Sequence, residues 1–242
     1  MSYFKHFPRT YYTFGTEAQP DVFENIARYS DVIDQVRDAT TTYEDYFIQG
    51  GERPDQVSMK LYDNPNFHWT FYLLNTKLRE GGWPLSQRKI REKALKDYKD
   101  TVLTTRTKLT DKFKLGQTIT GLTSGATAVI RDRNIDLGQL WIGSESGTFI
   151  VGETITSDSP TNGAESIVLT STAPQYNTAH HYENADGEWV DIDPEVGPGA
   201  QLTEVTWFDR LRAANEAQKN IKVLRNDTVI QVVKAFREAI RS

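Results

Sequence analysis

The chain has 242 residues, 38% of them hydrophobic and 25% charged, with a formal net charge of −5, which excludes disorder as the dominant state and allows one sizeable core or two small ones. No run approaches the roughly 18 consecutive apolar residues of a membrane span, and the opening Met1-Ser2-Tyr3-Phe4-Lys5 lacks the regions of a signal peptide, so we expect the protein to stay where it is made. With no cysteine, four histidines (His6, His68, His180, His181) and an acidic balance, the composition disfavours an enzyme, a cofactor or metal site, and nucleic acid as the main partner.

Between Asp21 and Asp38 the residues Val22, Phe23, Ile26, Tyr29, Ile33 and Val36 recur at three- and four-residue steps, so the spacing predicts a helix or two short ones, with Pro20 suited to the first helical position. Tyr43 to Gln49 is aromatic and β-prone and stops at Gly50-Gly51, which predicts a strand and a tight turn. A short helix follows from Pro54, with Val57, Leu61 and Tyr62 on one side, and ends at Asp63-Asn64-Pro65. The apolar run from Phe67 to Leu74, closed by Asn75, predicts a second buried helix. Its His68 reads as a satisfied core histidine, and Trp69, Phe71 and Leu73 as core. Ser86 can cap a polar helix through Ile90, Ala94, Leu95 and Tyr98. Arg88 to Lys112 holds nine Lys or Arg against four acids, a net +5, for which a solvated helix face is the usual reading.

The composition then turns to Gly, Thr, Ser, Ile and Val. Phe113-Lys114-Leu115-Gly116-Gln117-Thr118-Ile119-Thr120 returns as Phe149-Ile150-Val151-Gly152-Glu153-Thr154-Ile155-Thr156, followed by Ser124-Gly125-Ala126 against Asn162-Gly163-Ala164. Two copies are too few for a solenoid, so a small β-sandwich or barrel-like module is expected. From His180 to Ile192 the turn Asp186-Gly187 predicts a hairpin. Tyr176 to Asp209 holds eight acids and no Lys or Arg, a net −8. A helix over about Phe208 to Lys219, a β-like run Ile221 to Leu224, and an amphipathic helix carrying Val229, Val232, Val233, Phe236 and Ile240 close the chain, the last capped by Asn226 or Asp227. Because Lys77 to Gly82 is polar and Gly-rich, the strand near Asp45 to Gln49 lacks a local partner, and we expect it to pair with Ile221 to Leu224.

His180 and His181 lie near several acids, but neighbouring strand residues face opposite ways, and a solvated acidic hairpin outweighs a cation site. No nucleophile elbow, Walker loop or His-Glu-x-x-His pattern occurs, and Asp191 and Asp193 are weakly placed for hydrolase chemistry.

The strand, double-glycine turn and two short helices of Tyr46 to Asn75 resemble a LysM domain, although Gly50-Gly51-Glu52-Arg53-Pro54 replaces its Gly-Asp-Thr turn. More specifically, Tyr46 to Pro54, Leu61-Tyr62-Asp63-Asn64-Pro65, His68-Trp69, Leu73-Leu74-Asn75 and Trp83-Pro84-Leu85-Ser86 resemble the LysM-like baseplate wedge proteins of contractile-tailed, T-even-like bacteriophages. The resemblance covers Tyr11 to about Tyr98, weakly the Tyr182 to Ile192 hairpin, and Asn215 to Ile240. It implies an α+β fold in three parts: an N-terminal arm, LysM-like core and basic helix over 1–112, an inserted β module over 113–174, and an acidic hairpin, strand and helices over 175–242 that complete the core. It also implies a non-enzymatic virion subunit without cofactor, present in several copies in the tail baseplate and assembled in the host cytoplasm. Its partners would be other wedge subunits and the lysozyme-like sheath initiator, joined into a six-fold ring, with no nucleic acid and no membrane. The alternative is a LysM-type peptidoglycan- or chitin-binding module. The residues expected to carry core and interaction are Tyr46, Ile48, Pro54, Leu61, Tyr62, Pro65, Trp69, Leu73, Asn75, Trp83, Val229, Val233 and Phe236.

Overall fold

The computed structural model describes residues 7–16, 19–25, 27, 42–159 and 162–241. The protein is α+β and divides into two compact units, Met1–Gln87 with Asn215–Ser242, and Arg88–Ala214. These limits lie at other positions than the expected part boundaries after residues 112 and 174.

In the first unit, β1 (Arg9–Tyr12) and β2 (Asp21–Glu24) form an antiparallel hairpin, with Arg9 opposite Glu24 and Tyr12 opposite Asp21. The helix expected from Asp21 is therefore a strand over its first turn. Val22 and Phe23 are adjacent β-prone residues with a partner strand in reach, and that pairing outweighs the helical spacing. Ile26, Tyr29, Ile33 and Val36, which completed the spacing, lie outside the described residues. Next come β3 (Tyr43–Phe47), α1 (Pro54–Tyr62), a 3-10 turn over Pro65–Phe67, α2 (Trp69–Leu74) and α3 (Thr76–Gly81). Pro54 sits in the first turn of α1, where its missing N–H costs nothing, and Asp63 ends the helix in the left-handed region at φ 51°. The polar segment after Asn75 is helical.

The second unit begins with α4 (Gln87–Asp97), which buries Ile90 and Ala94. Leu95, expected beside them, is exposed, since five residues from Ile90 it has turned roughly 140° round the helix. A closed antiparallel barrel follows: β4 (Thr101–Thr105), β5 (Thr118–Gly121), β6 (Thr127–Asn134), β7 (Gln139–Ser146), β8 (Thr154–Ser159) and β9 (Gly163–Pro174), in the order β4-β7-β6-β5-β8-β9. The 12-residue β9 closes it, pairing with β8 through Gly163 to Val168 and with β4 through Leu169 to Pro174. Without β4 the ladder would stay open, so the module starts before Phe113. At the β6–β7 turn Gly138 has φ 61°, and a Cβ there would lie 2.2 Å from the Thr105 carbonyl oxygen.

The repeat is visible bond by bond. Gly116 N–H donates to the Ile130 carbonyl at 2.8 Å, and Gly152 N–H to the Leu169 carbonyl at 2.8 Å. Ile130 N–H donates to Gln117 and Leu169 N–H to Glu153, both at 3.0 Å. The Gln117 and Glu153 side chains each accept from the backbone three residues upstream, at Lys114 and Ile150. Phe113 and Phe149 lie in one barrel core with Leu103, Ile119, Ile130, Leu140, Ile142 and Ile155.

Beyond the barrel, β10 (Ala179–Glu183) lies between β11 (Trp189–Val190) and β12 (Thr203–Thr206). The acidic hairpin forms as expected, with Asn184 Oδ1 accepting from the N–H groups of Asp186 and Glu188. It belongs to the second unit and does not complete the first. Gln139 Nε2 donates to the Ala179 carbonyl at 3.0 Å, and Lys108 pairs with Asp193 at 3.1 Å and Glu195 at 3.4 Å.

The chain returns through α5 (Trp207–Ala217) to the first unit, adding β13 (Asn220–Leu224) and α6 (Val229–Arg241). There β13 pairs antiparallel with β3, Ile221 opposite Tyr46 and Leu224 opposite Tyr43, as the missing local partner required. The helices cover this two-stranded sheet with Ile48, Val57, Tyr62, Phe71, Leu78, Ile221, Val223, Val229 and Val233 in one cluster. Phe7, Leu73, Phe236 and Ile240 form another.

Candidate functional site

The strand, two helices and distant closing strand of the first unit bring most of the singled-out residues together. Ile48, Tyr62, Leu73 and Asn75 are buried, while Tyr46, Leu61, Trp69 and Trp83 are half-buried against the main cluster. Trp69 packs at a tilt against Phe236 at 4.5 Å between ring centres, and the Trp83 indole N–H donates to the Glu52 carbonyl at 2.7 Å. Pro54 opens α1, and the exposed Pro65 opens the 3-10 turn. His68 bonds only locally among the described contacts, its Nδ1 lying 2.8 Å from the Pro65 carbonyl. Tyr62 donates its hydroxyl to the Leu224 carbonyl at 2.9 Å, and burial pushes its pKa up to about 12.

Two asparagines stitch the separated chain segments. Asn75 accepts from Lys222 N–H at 2.8 Å and donates to the Lys222 carbonyl at 2.7 Å, behaving like one residue of a neighbouring strand. Asn215 accepts from Leu85 N–H at 2.6 Å and donates to the Leu85 carbonyl at 3.2 Å. Lys77 adds a third link, donating to the Ala217 carbonyl at 2.8 Å and to the Asn220 carbonyl. Sequence reasoning singled out Asn75 and missed Asn215 and Lys77, because pairing with a remote backbone leaves no local spacing.

Val229, Val233 and Phe236 were expected to offer α6 to a partner as well as to the core. Each is at most 3% exposed and packs in a cluster of this chain. Outward apolar residues of the unit cluster on or beside the β1–β2 hairpin, where Tyr11, Tyr12, Phe14, Val22 and Phe23 are 42–67% exposed, while Tyr43, Phe47, Met59 and, on α6, Ile230 are exposed singly. Tyr12 and Phe23 both pack edge-on to Phe14.

In the second unit the two charged segments are partly spent on each other through Lys108 and its two carboxylates. On α4, Arg88 pairs with Glu92 at 3.6 Å and Lys93 with Asp97 at 2.6 Å, both solvent-facing. The histidines form a directed chain. Arg210 donates to His180 Nε2, which leaves His180 Nδ1–H to donate to His181 Nδ1 at 2.8 Å and His181 Nε2–H to donate to Glu183 at 2.8 Å. Burial, then the Arg210 guanidinium and His181, push the His180 pKa down to about 4. Among the described residues no group of three or more His, Asp or Glu could hold a metal ion, and no helix is long and apolar enough to cross a membrane.

No curated protein matches this chain. Residues 8–105 match the family model described as Base plate wedge protein 53. The matched segment contains the exposed hairpin, β3, the short helices with their buried aromatics and the basic helix, and the likeness supports a structural subunit of a phage tail baseplate.

Proposed function

We propose that this protein joins neighbouring wedges into the six-fold inner ring of a contractile-tail baseplate, through a LysM-like first unit that serves as a protein-docking module. The carrying observation is the β1–β2 hairpin, which lies inside the family match and exposes all eight of its strand residues. An isolated two-stranded hairpin is marginal in water, and a cluster of outward Tyr, Phe and Val is what a partner surface covers. Other wedge subunits and a lysozyme-like sheath initiator are the partners that fit, and the role requires no catalysis. The basic α4 and the acidic stretch around β10–β12 are suited to steering assembly, since exposed ion pairs add only about 0–1 kcal/mol each. The test is reconstitution with purified wedge subunits, read by electron microscopy. The parent protein yields closed six-fold rings, and a variant with Tyr11, Tyr12, Val22 and Phe23 changed to Ser yields separate wedges while keeping its melting temperature. Ring closure by that variant at the parent rate rejects the reading.

A further inference from the structure

The second unit contains an open cleft of about 480 Å³, within the range of about 300–1,000 Å³ common to small-molecule sites. Three of the five tryptophans of the chain, Trp141, Trp189 and Trp207, line it together with His180. Trp189 is 62% exposed, with His181 stacked at 3.9 Å between ring centres. Trp141 is only 7% exposed, yet its indole N–H has no acceptor among the described residues, and neither has the buried indole N–H of Trp207. Buried donors left without a partner are rare in folded proteins, because the lost hydration is not made good. The same lining carries the exposed carboxylates of Asp136 and Asp191, which have no ion pair among the described residues.

A ligand for this cleft has to supply acceptors to the indoles, donors to the carboxylates and an apolar face to the aromatic rings. An anion meets Asp132, Asp136 and Asp191 against the single guanidinium of Arg133, which already donates to the Leu109 and Lys112 carbonyls. A cation satisfies the carboxylates and leaves both indole donors unpaired. A neutral pyranose does all three, because each hydroxyl both donates and accepts and the ring's C–H face packs on an aromatic plane. We propose that this cleft is a binding site for a neutral saccharide. The site is separate from the β1–β2 hairpin that carries the wedge-joining proposal, although Asp191 on its rim belongs to the acidic stretch suited to steering assembly.

The five indole N–H signals of the full-length ¹⁵N-labelled protein provide the test, with the methyl glycosides of glucose, galactose, mannose, rhamnose and N-acetylglucosamine as probes. At least one glycoside shifts the signals of Trp141, Trp189 and Trp207 saturably and leaves those of Trp69 and Trp83 in place. Trp189→Ala and Asp191→Asn, both at exposed positions, weaken that binding by roughly tenfold or more without altering the melting temperature. Three results overturn the proposal: no response to any of the five glycosides, a response confined to Trp69 and Trp83, or equal shifts of the cleft signals with arginine amide.

Discussion

The two units solve the problem of chain connectivity in opposite ways. The first is assembled from segments more than 100 residues apart, and its two-stranded sheet exists only because β13 returns to β3. Its seams are side-chain amides, Asn75 on Lys222 and Asn215 on Leu85, each bonding both backbone groups of a distant residue. The second is one continuous stretch whose ladder closes on itself, and its duplicated turns repeat the same backbone bonds. A discontinuous fold needs polar groups that fix which segment meets which, whereas a closed ladder sets its own register. Breaking one unit should therefore leave the other standing.

The largest effect tests that independence. Phe71 and Phe113 are fully buried in separate clusters, and truncating either to Ala should cost its own unit about 3–5 kcal/mol. In urea titrations, Phe71→Ala moves the transition reported by Trp69 and Trp83, and Phe113→Ala moves the one reported by Trp141. A single transition displaced equally by both would show that the units melt as one.

Next in size is Asn75→Ala, which leaves the Lys222 N–H and carbonyl without their side-chain partner and should cost the first unit about 1–3 kcal/mol. The second unit should not respond. An unchanged first transition would mean that water replaces the asparagine without loss.

The second unit in turn has an acid sensitivity at His180. Its folded pKa, about 4, lies below the ordinary 6.5, so the unfolded chain binds the extra proton first as pH falls. The stabilisation is full above about pH 6.5 and is lost as pH drops toward 4. The shift bounds the loss at about 3 kcal/mol, and partial exposure reduces it to about 1–2 kcal/mol. His180→Gln should flatten the pH dependence of the second transition in that window. Glu153 and Glu165 act at lower pH: burial works to raise both pKa values, but donors from Ile150 and Ser124, and from Phe113 and Asn162, hold them below the usual carboxylate range. Their contribution is lost as pH falls through those depressed values.

The smallest effect on stability belongs to reversing Arg88, Lys89 and Arg91 to Glu, expected within about 0–1 kcal/mol. The same change should slow wedge joining at low salt and do little at high salt, where screening acts within a few ångströms. Identical joining rates at low salt would remove α4 from assembly.

Much of the first unit was readable because its signals are local: the Gly50-Gly51 turn, Pro54, the Asn64-Pro65 stop and the aromatic run each act within a few residues. Even the remote β3–β13 pairing followed from a strand with no neighbour at hand. What escaped reading was set by context. Thr101–Thr105 lies inside a basic stretch that draws attention to charge, although its adjacent Val102 and Leu103 are both buried, as is Thr105. Thr203–Thr206 is too short and polar to announce a strand, and only β10 defines it. Of the candidate site, the buried half was legible from apolar spacing. The inward turn of Val229, Val233 and Phe236 was visible as an apolar stripe, but a stripe does not say whether its cover comes from the same chain.

Closure of the six-stranded ladder has a colloidal consequence. Every barrel strand has a neighbour on both sides, so this part of the molecule offers no row of free N–H and C=O groups to another copy. Glycine- and threonine-rich β sequence, hazardous when its strands end in open edges, is thereby made safe at high concentration. Its loops are left free to vary in length without creating a template for fibres.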